Sequence, residues 1–188
     1  MRRLDSERPG THAHSVPVQL ARSLCVGFMA ALLASCAAAG PVSRSGDDEL
    51  RITTDAIEYV AGEPITAAAN LEYLGDPDHV TRASLGAGRP ISFVLRQLDG
   101  PIETPGGQTL HCGPFELRRG APLVEPFSQG GFSDPGTNDA FYAALIADPI
   151  LRLPTGRWEL AASARMFPDC NHQGDEINLR AATQITVR

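Results

Sequence analysis

Arg157-Trp158-Glu159-Leu160-Ala161-Ala162-Ser163-Ala164-Arg165-Met166 decides the fold. Trp158, Leu160, Ala162, Ala164 and Met166 fall on one side of a two-residue period, and Arg157, Glu159, Ala161, Ser163 and Arg165 on the other. Successive strand side chains point to opposite faces, so this run is a strand with one core face and one wet face. Two further runs repeat the pattern. Leu179, Ala181, Thr183, Ile185 and Val187 alternate with Arg180, Ala182, Gln184, Thr186 and Arg188. Ile65, Ala67, Ala69, Leu71 and Tyr73 alternate with Thr66, Ala68, Asn70 and Glu72. One-sided alternation is the mark of antiparallel sheet, since parallel strands are buried on both faces. Trp158, on the apolar face, is expected in the core.

Weaker strands are expected at Leu50–Thr54, Ile57–Val60, Val80–Ser84, Ile91–Leu98 and Thr109–Leu117. Turn chemistry separates them at Ala61-Gly62-Glu63-Pro64, Gly75-Asp76-Pro77-Asp78, Asp99-Gly100-Pro101 and Pro154-Thr155-Gly156. Many short strands so punctuated predict a mainly β protein built as an antiparallel two-sheet sandwich. Two local motifs resemble bacterial immunoglobulin-like modules: Tyr59-x-x-Gly62-x-Pro64-Ile65 and Leu153-Pro154-x-Gly156-x-Trp158. The resemblance implies an immunoglobulin-like sandwich over residues 49–188 and carries no activity. It departs from antibody domains, because Trp158 follows Cys112 by 46 residues instead of lying shortly after the first cysteine.

One segment, Arg118–Ala147, breaks the β pattern and reads as an insertion. Asn138-Asp139 is placed to cap one short helix through Ala140–Ala147, with Phe141, Tyr142 and Leu145 to one side. Asp148-Pro149 ends it. Upstream lies the Gly-rich run Phe127-Ser128-Gln129-Gly130-Gly131-Phe132-Ser133. Phe127, Ser128, Phe132 and Tyr142 are the candidate binding loop, because exposed aromatics anchor interfaces. The alternative is that these aromatics fold back to cover an open end of the sandwich.

At the N-terminus, Leu33-Ala34-Ser35-Cys36 closes the uncharged run Leu24–Leu33, which is preceded by Arg2, Arg3, Arg8 and Arg22. Ten helical residues rise only ~15 Å, half a bilayer core, so this run fits a secretory leader better than a spanning helix. The tetrapeptide resembles the lipobox of bacterial lipoproteins. That resemblance implies that signal peptidase II removes residues 1–35 as a signal peptide and that Cys36 carries a palmitate-type lipid anchor. The protein would then sit in the cell envelope, on the extracytoplasmic side of a membrane. Ordinary cleavage near Ala37-Ala38-Ala39, releasing a soluble protein, is the competing reading. Residues 36–48, small and polar, are expected to form a flexible tether, with Asp47-Asp48-Glu49 keeping it solvated.

Residues 1–35 hold four of the 16 basic and two of the 22 acidic residues, so the remainder carries 12 arginines, 20 acids and a formal charge of −8. Such a chain lacks the basic face that nucleic acid requires. Membrane attachment would come from the lipid and not from charge. In the oxidising compartment that the leader implies, Cys112 and Cys170 are expected to pair as a disulfide. The rival use of Cys112 and Cys170 is zinc held with His111 and His172. Adjacent strand residues such as His111 and Cys112 face opposite ways, which opposes that arrangement unless Gly113-Pro114 bends the backbone.

No nucleophile elbow, Cys/His catalytic signature or cofactor motif is present. The expectation is a non-catalytic binding module for an envelope protein or polymer. An envelope protease inhibitor or regulator is the second reading, and a hydrolase the third.

Overall fold

The computed structural model describes residues 40–104, 111–127, 139–148, 150–171 and 174–188. In chain order the elements are β1 (Val42–Ser45), β2 (Asp48–Thr54), β3 (Glu58–Tyr59), β4 (Ala67–Tyr73), β5 (His79–Ser84), β6 (Ile91–Gln97), β7 (Gly113–Arg118), β8 (Leu123–Pro126), α1 (Asp139–Ala147), β9 (Gly156–Met166) and β10 (Ile177–Val187). No helix among the described residues is long and apolar enough to cross a membrane.

The fold grows from the β9–β10 pair, antiparallel from Met166↔Ile177 to Gly156↔Val187. β6 joins the other edge of β9, so that Leu95 lies opposite Leu160 and Phe93 opposite Ala162. The resulting sheet runs β3-β10-β9-β6, and the second four-stranded sheet runs β1-β2-β4-β8. β5 and β7 form a separate antiparallel pair. Among the named strands pairing is antiparallel except at β3, where Glu58–Tyr59 run parallel to Thr186–Val187. The protein is therefore mainly β with antiparallel sheets and one short helix among the described residues.

The alternation read from the sequence largely repeats as burial, except that Ala161 on the expected wet face is buried and Thr183 on the expected core face is half-buried. Trp158, Leu160, Ala162, Ala164 and Met166 are buried, as are Leu179, Ala181, Ile185 and Val187. Leu50, Ile52, Ala69 and Leu71 of the other sheet belong to the same apolar cluster. Alanines at 69, 162, 164 and 181 are buried among these larger side chains.

Three local expectations are corrected. The tether expected over residues 36–48 is strand from Val42, where β1 pairs with β2 from Val42↔Arg51 to Ser45↔Asp48. Its stability comes from backbone hydrogen bonds, which need no apolar side chains. Asp48 and Glu49 are not a solvated cluster: they are 1 % and 6 % exposed. Arg82 pairs with Asp48, while Arg44 and Arg51 both hold Glu49. Finally, the Arg118–Ala147 insertion contributes a strand: β8 pairs with β4 from Ala68↔Pro126 to Leu71↔Leu123 and completes its sheet.

The helix lies where its cap and stop signals placed it, with Tyr142 and Leu145 buried. The Asp148 N–H closes its last turn on the Ala144 carbonyl at 3.1 Å.

Candidate binding site

α1 presents Phe141, Ala144 and Leu145 to one side of a groove of about 330 Å³, whose other side is Ile150, Arg152 and Pro154. The helix is held at this angle by its buried flank. Leu145 enters the core, and the Tyr142 hydroxyl donates to the Glu103 carbonyl. Burial pushes the Tyr142 phenol above its ordinary range, so the hydroxyl keeps the proton it donates. Phe141 stacks on Trp158 with ring centroids 5.7 Å apart, and the Trp158 indole N–H donates to the Pro154 carbonyl at 3.0 Å. Both walls are thus fastened to one fully buried indole.

The second wall is itself patterned. Leu151 and Leu153 are 2 % exposed, whereas Ile150 and Arg152, which alternate with them, face outward. Backbone bonds from Ile65 N–H to the Leu151 carbonyl and from Gly62 N–H to the Leu153 carbonyl fix the segment against residues 62–65. Arg152 reaches the Asp148 carboxylate and the Gly62 carbonyl. The groove therefore offers an apolar floor with a neutral, internally paired rim. Its lining holds neither nucleophile nor imidazole, and it suits an apolar group that displaces water.

The residues singled out from sequence separate. Tyr142 is 3 % exposed and Phe127 is half-buried, packed edge-on to Phe93 with centroids 5.3 Å apart. The Phe127 N–H also donates to the Ala67 carbonyl at 2.8 Å. Tyr142 is thus buried, and Phe127 packs against the core with part of its ring in water. The physical reason is that a neighbouring apolar rim gives each ring more burial than solvent could. Ser128 and Phe132 lie outside the described residues, as do Cys36 and His172. The groove beside Ile150–Pro154 was not anticipated, although the period-two pattern of residues 150–153 marks it as a supported edge.

Cys112 and Cys170 form the expected disulfide, with Cα atoms 5.7 Å apart. Both sulfurs are thereby withdrawn from metal binding, and His111 beside them is exposed. Gly113, next in the chain, has no room for a side chain, because a Cβ there would come within 2.6 Å of the Ala87 backbone. Ala87 itself sits at φ +56° and donates its N–H to the His111 carbonyl. The disulfide thus staples the head of β7 to the turn after β9, beside a tightly packed loop.

Two carboxyls that depart from ordinary behaviour, Asp48 and Glu49, lie away from the groove. Burial raises the Asp48 carboxyl against the opposing pull of Arg82. The Arg51 hydrogen bond, with Arg44 adding to it, lowers Glu49. Both are structural ion pairs where two strands meet.

No family model matches the chain, and no curated protein matches it. Among solved structures it is similar to Spo0M, a sporulation control protein from Bacillus subtilis, at TM-score 0.40 and 13 % identity. The match covers 77 % of this chain and 50 % of that one, so the chain spans half the length of that neighbour. A likeness this distant says nothing about what the protein does.

Proposed function

We propose that this chain is a cell-envelope lipoprotein, anchored through Cys36 on the extracytoplasmic side of a membrane, with an immunoglobulin-like sandwich that acts as a non-catalytic binding module. The lipobox-like Leu33-Ala34-Ser35-Cys36 after a short apolar run supports the anchor. Two four-stranded sheets sharing one core support the sandwich. The binding assignment rests on one observation, the apolar groove between α1 and Ile150–Pro154. Its partner is an envelope protein or polymer that inserts an apolar group against Phe141 and Leu145. Asp148 and Arg152 at the rim are already satisfied by each other, so they set the shape of the groove more than its charge preference.

The test is in-cell crosslinking of the tagged protein with mass spectrometry of the captured species. Ala144 is exposed and lines the groove, so Ala144→Arg fills the site without touching the core. One recurrent envelope partner, captured by the parent chain and lost with Ala144→Arg, is the expected result. A partner retained by that variant would remove the groove from the proposal. Metabolic palmitate labelling checks the anchor: label should enter the parent chain, and persistence of label in Cys36→Ala would end the lipoprotein reading.

A further inference from the structure

Strand β1 begins very close to the acylation candidate. The Ile52 N–H donates to the Pro41 carbonyl at 3.3 Å, and at Gly40 there is no room for a Cβ against the Ile52 carbonyl. From Gly40 onward the chain is fastened to the sheet. Cys36 and Pro41 are five residues apart, so they are separated by at most ~18 Å even when fully extended. The headgroup layer takes roughly 5–8 Å of that reach on each side of a bilayer. The start of β1 is therefore held within about 13 Å of the lipid surface whenever Cys36 is acylated.

The sheet face beside that point suits such a neighbour. Residues directly opposite in antiparallel strands share a face. Val42↔Arg51, Arg51↔Asn70 and Asn70↔Val124 therefore form one row across β1, β2, β4 and β8. Leu50 and Leu71, one residue along, are buried, so this row is on the outer face. Val42 and Val124 are 43 % and 54 % exposed, two of the few large apolar side chains left in water among the described residues. Ala68, opposite Pro126, lies in the next row on the same face. The face is also close to neutral in a chain that is otherwise acidic. Arg44 and Arg51 enclose Glu49, whose side chain is only 7 % exposed, and these two cations balance Glu49 and Glu72. Such a face is not repelled by anionic headgroups as the rest of the surface would be.

We propose that the outer face of the β1-β2-β4-β8 sheet rests on the lipid surface, with Val42 and Val124 in contact with the interface. This rests on acylation at Cys36 and adds to it a fixed orientation, which leaves the β3-β10-β9-β6 sheet turned away from the membrane.

The experiment places the acylated protein in phosphatidylcholine vesicles carrying brominated acyl chains and reads tryptophan emission. Trp158 is fully buried and serves as an internal reference. Val124→Trp and Val42→Trp put probes on the proposed face, and Val94→Trp puts one on the outer side of β6. The expected result is loss of emission from the first two probes and none from the third. Quenching at Val94→Trp alone, or at none of the three in protein that co-floats with the vesicles, overturns the orientation and leaves the anchor standing. If the protein fails to co-float at all, the Cys36 reading fails and the orientation falls with it. Using two probes on one row guards against either variant failing to fold.

Discussion

Trp158 is where the largest single-residue energies concentrate. It is fully buried, stacks on Phe141 and gives its indole hydrogen to Pro154. Its cross-strand neighbours are Ile185 and Gln97, and removing the indole would leave Phe141 without its stacking partner. Trp158→Ala should cost about 3–5 kcal/mol, and Trp158→Phe less, because the ring stack survives. Urea unfolding gives both values, and a loss below about 1 kcal/mol for the alanine variant would show that the site collapses freely. Two neighbouring acids give opposite pH signatures. Glu49 is held below its ordinary 4.5 by Arg51 and then Arg44, so its stabilisation is complete above that pH and is lost as pH falls through the folded value. Asp48 is raised above 3.8 chiefly by burial, so the folded state takes up its proton first and gains stability as pH falls through that window. Measured from about pH 6 down to about pH 3, the parent's stability relative to the variant should fall for the Glu49→Gln comparison and rise for the Asp48→Asn comparison. Gaps that move together would mean that the two carboxylates do not titrate as their surroundings dictate.

Elements were legible in proportion to their own alternation. β9, β10 and β4 carry period two across most of their length, and their burial repeats it. The helix was legible because Asp139 and Asp148-Pro149 bracket it chemically. β1 and β8 were not, since each is four residues and takes its stability from a neighbour's backbone. Val-Ser-Arg-Ser at 42–45 and Leu-Val-Glu-Pro at 123–126 hold too few apolar residues to announce a face. The groove was missed for a related reason: its second wall, Ile150–Pro154, is extended chain tied by single bridges and not a named strand. The disulfide followed from cysteine parity and the oxidising compartment that the leader implies. Its loop spans a sequence separation of 58, so Cys112→Ser with Cys170→Ser should lower stability by roughly 4 kcal/mol in the chain-entropy model. Thermal unfolding of the parent protein with and without reductant gives the same comparison. An unchanged midpoint would show that the reduced loop is already constrained by β5–β7 pairing.

For the whole molecule, the decisive question is whether the segment between β7 and β9 is an appendage or part of the fold. An insertion that breaks the β pattern, as Arg118–Ala147 reads in the sequence, would be separable from the domain. Its packing predicts the opposite. β8 is the fourth strand of its sheet, and its Leu123 packs against the core. Phe127 covers Phe93, while Tyr142 and Leu145 are 3 % and 4 % exposed. Removing even three such side chains costs about 2–5 kcal/mol apiece, which together approaches the 5–15 kcal/mol that holds an ordinary domain. Deleting 118–147 should therefore yield a chain without a cooperative unfolding transition, as measured by circular dichroism on heating. Ala144→Arg, which changes only the groove, should keep the parent's transition. If the deletion variant unfolds cooperatively, the two sheets are sufficient without β8 and α1, and the insertion is free to be a binding appendage after all. If it does not, loss of a partner on deletion carries no information about binding, and only groove substitutions can locate the site. The same packing ties one wall of the groove to the core, since Leu145 of its helix belongs to both.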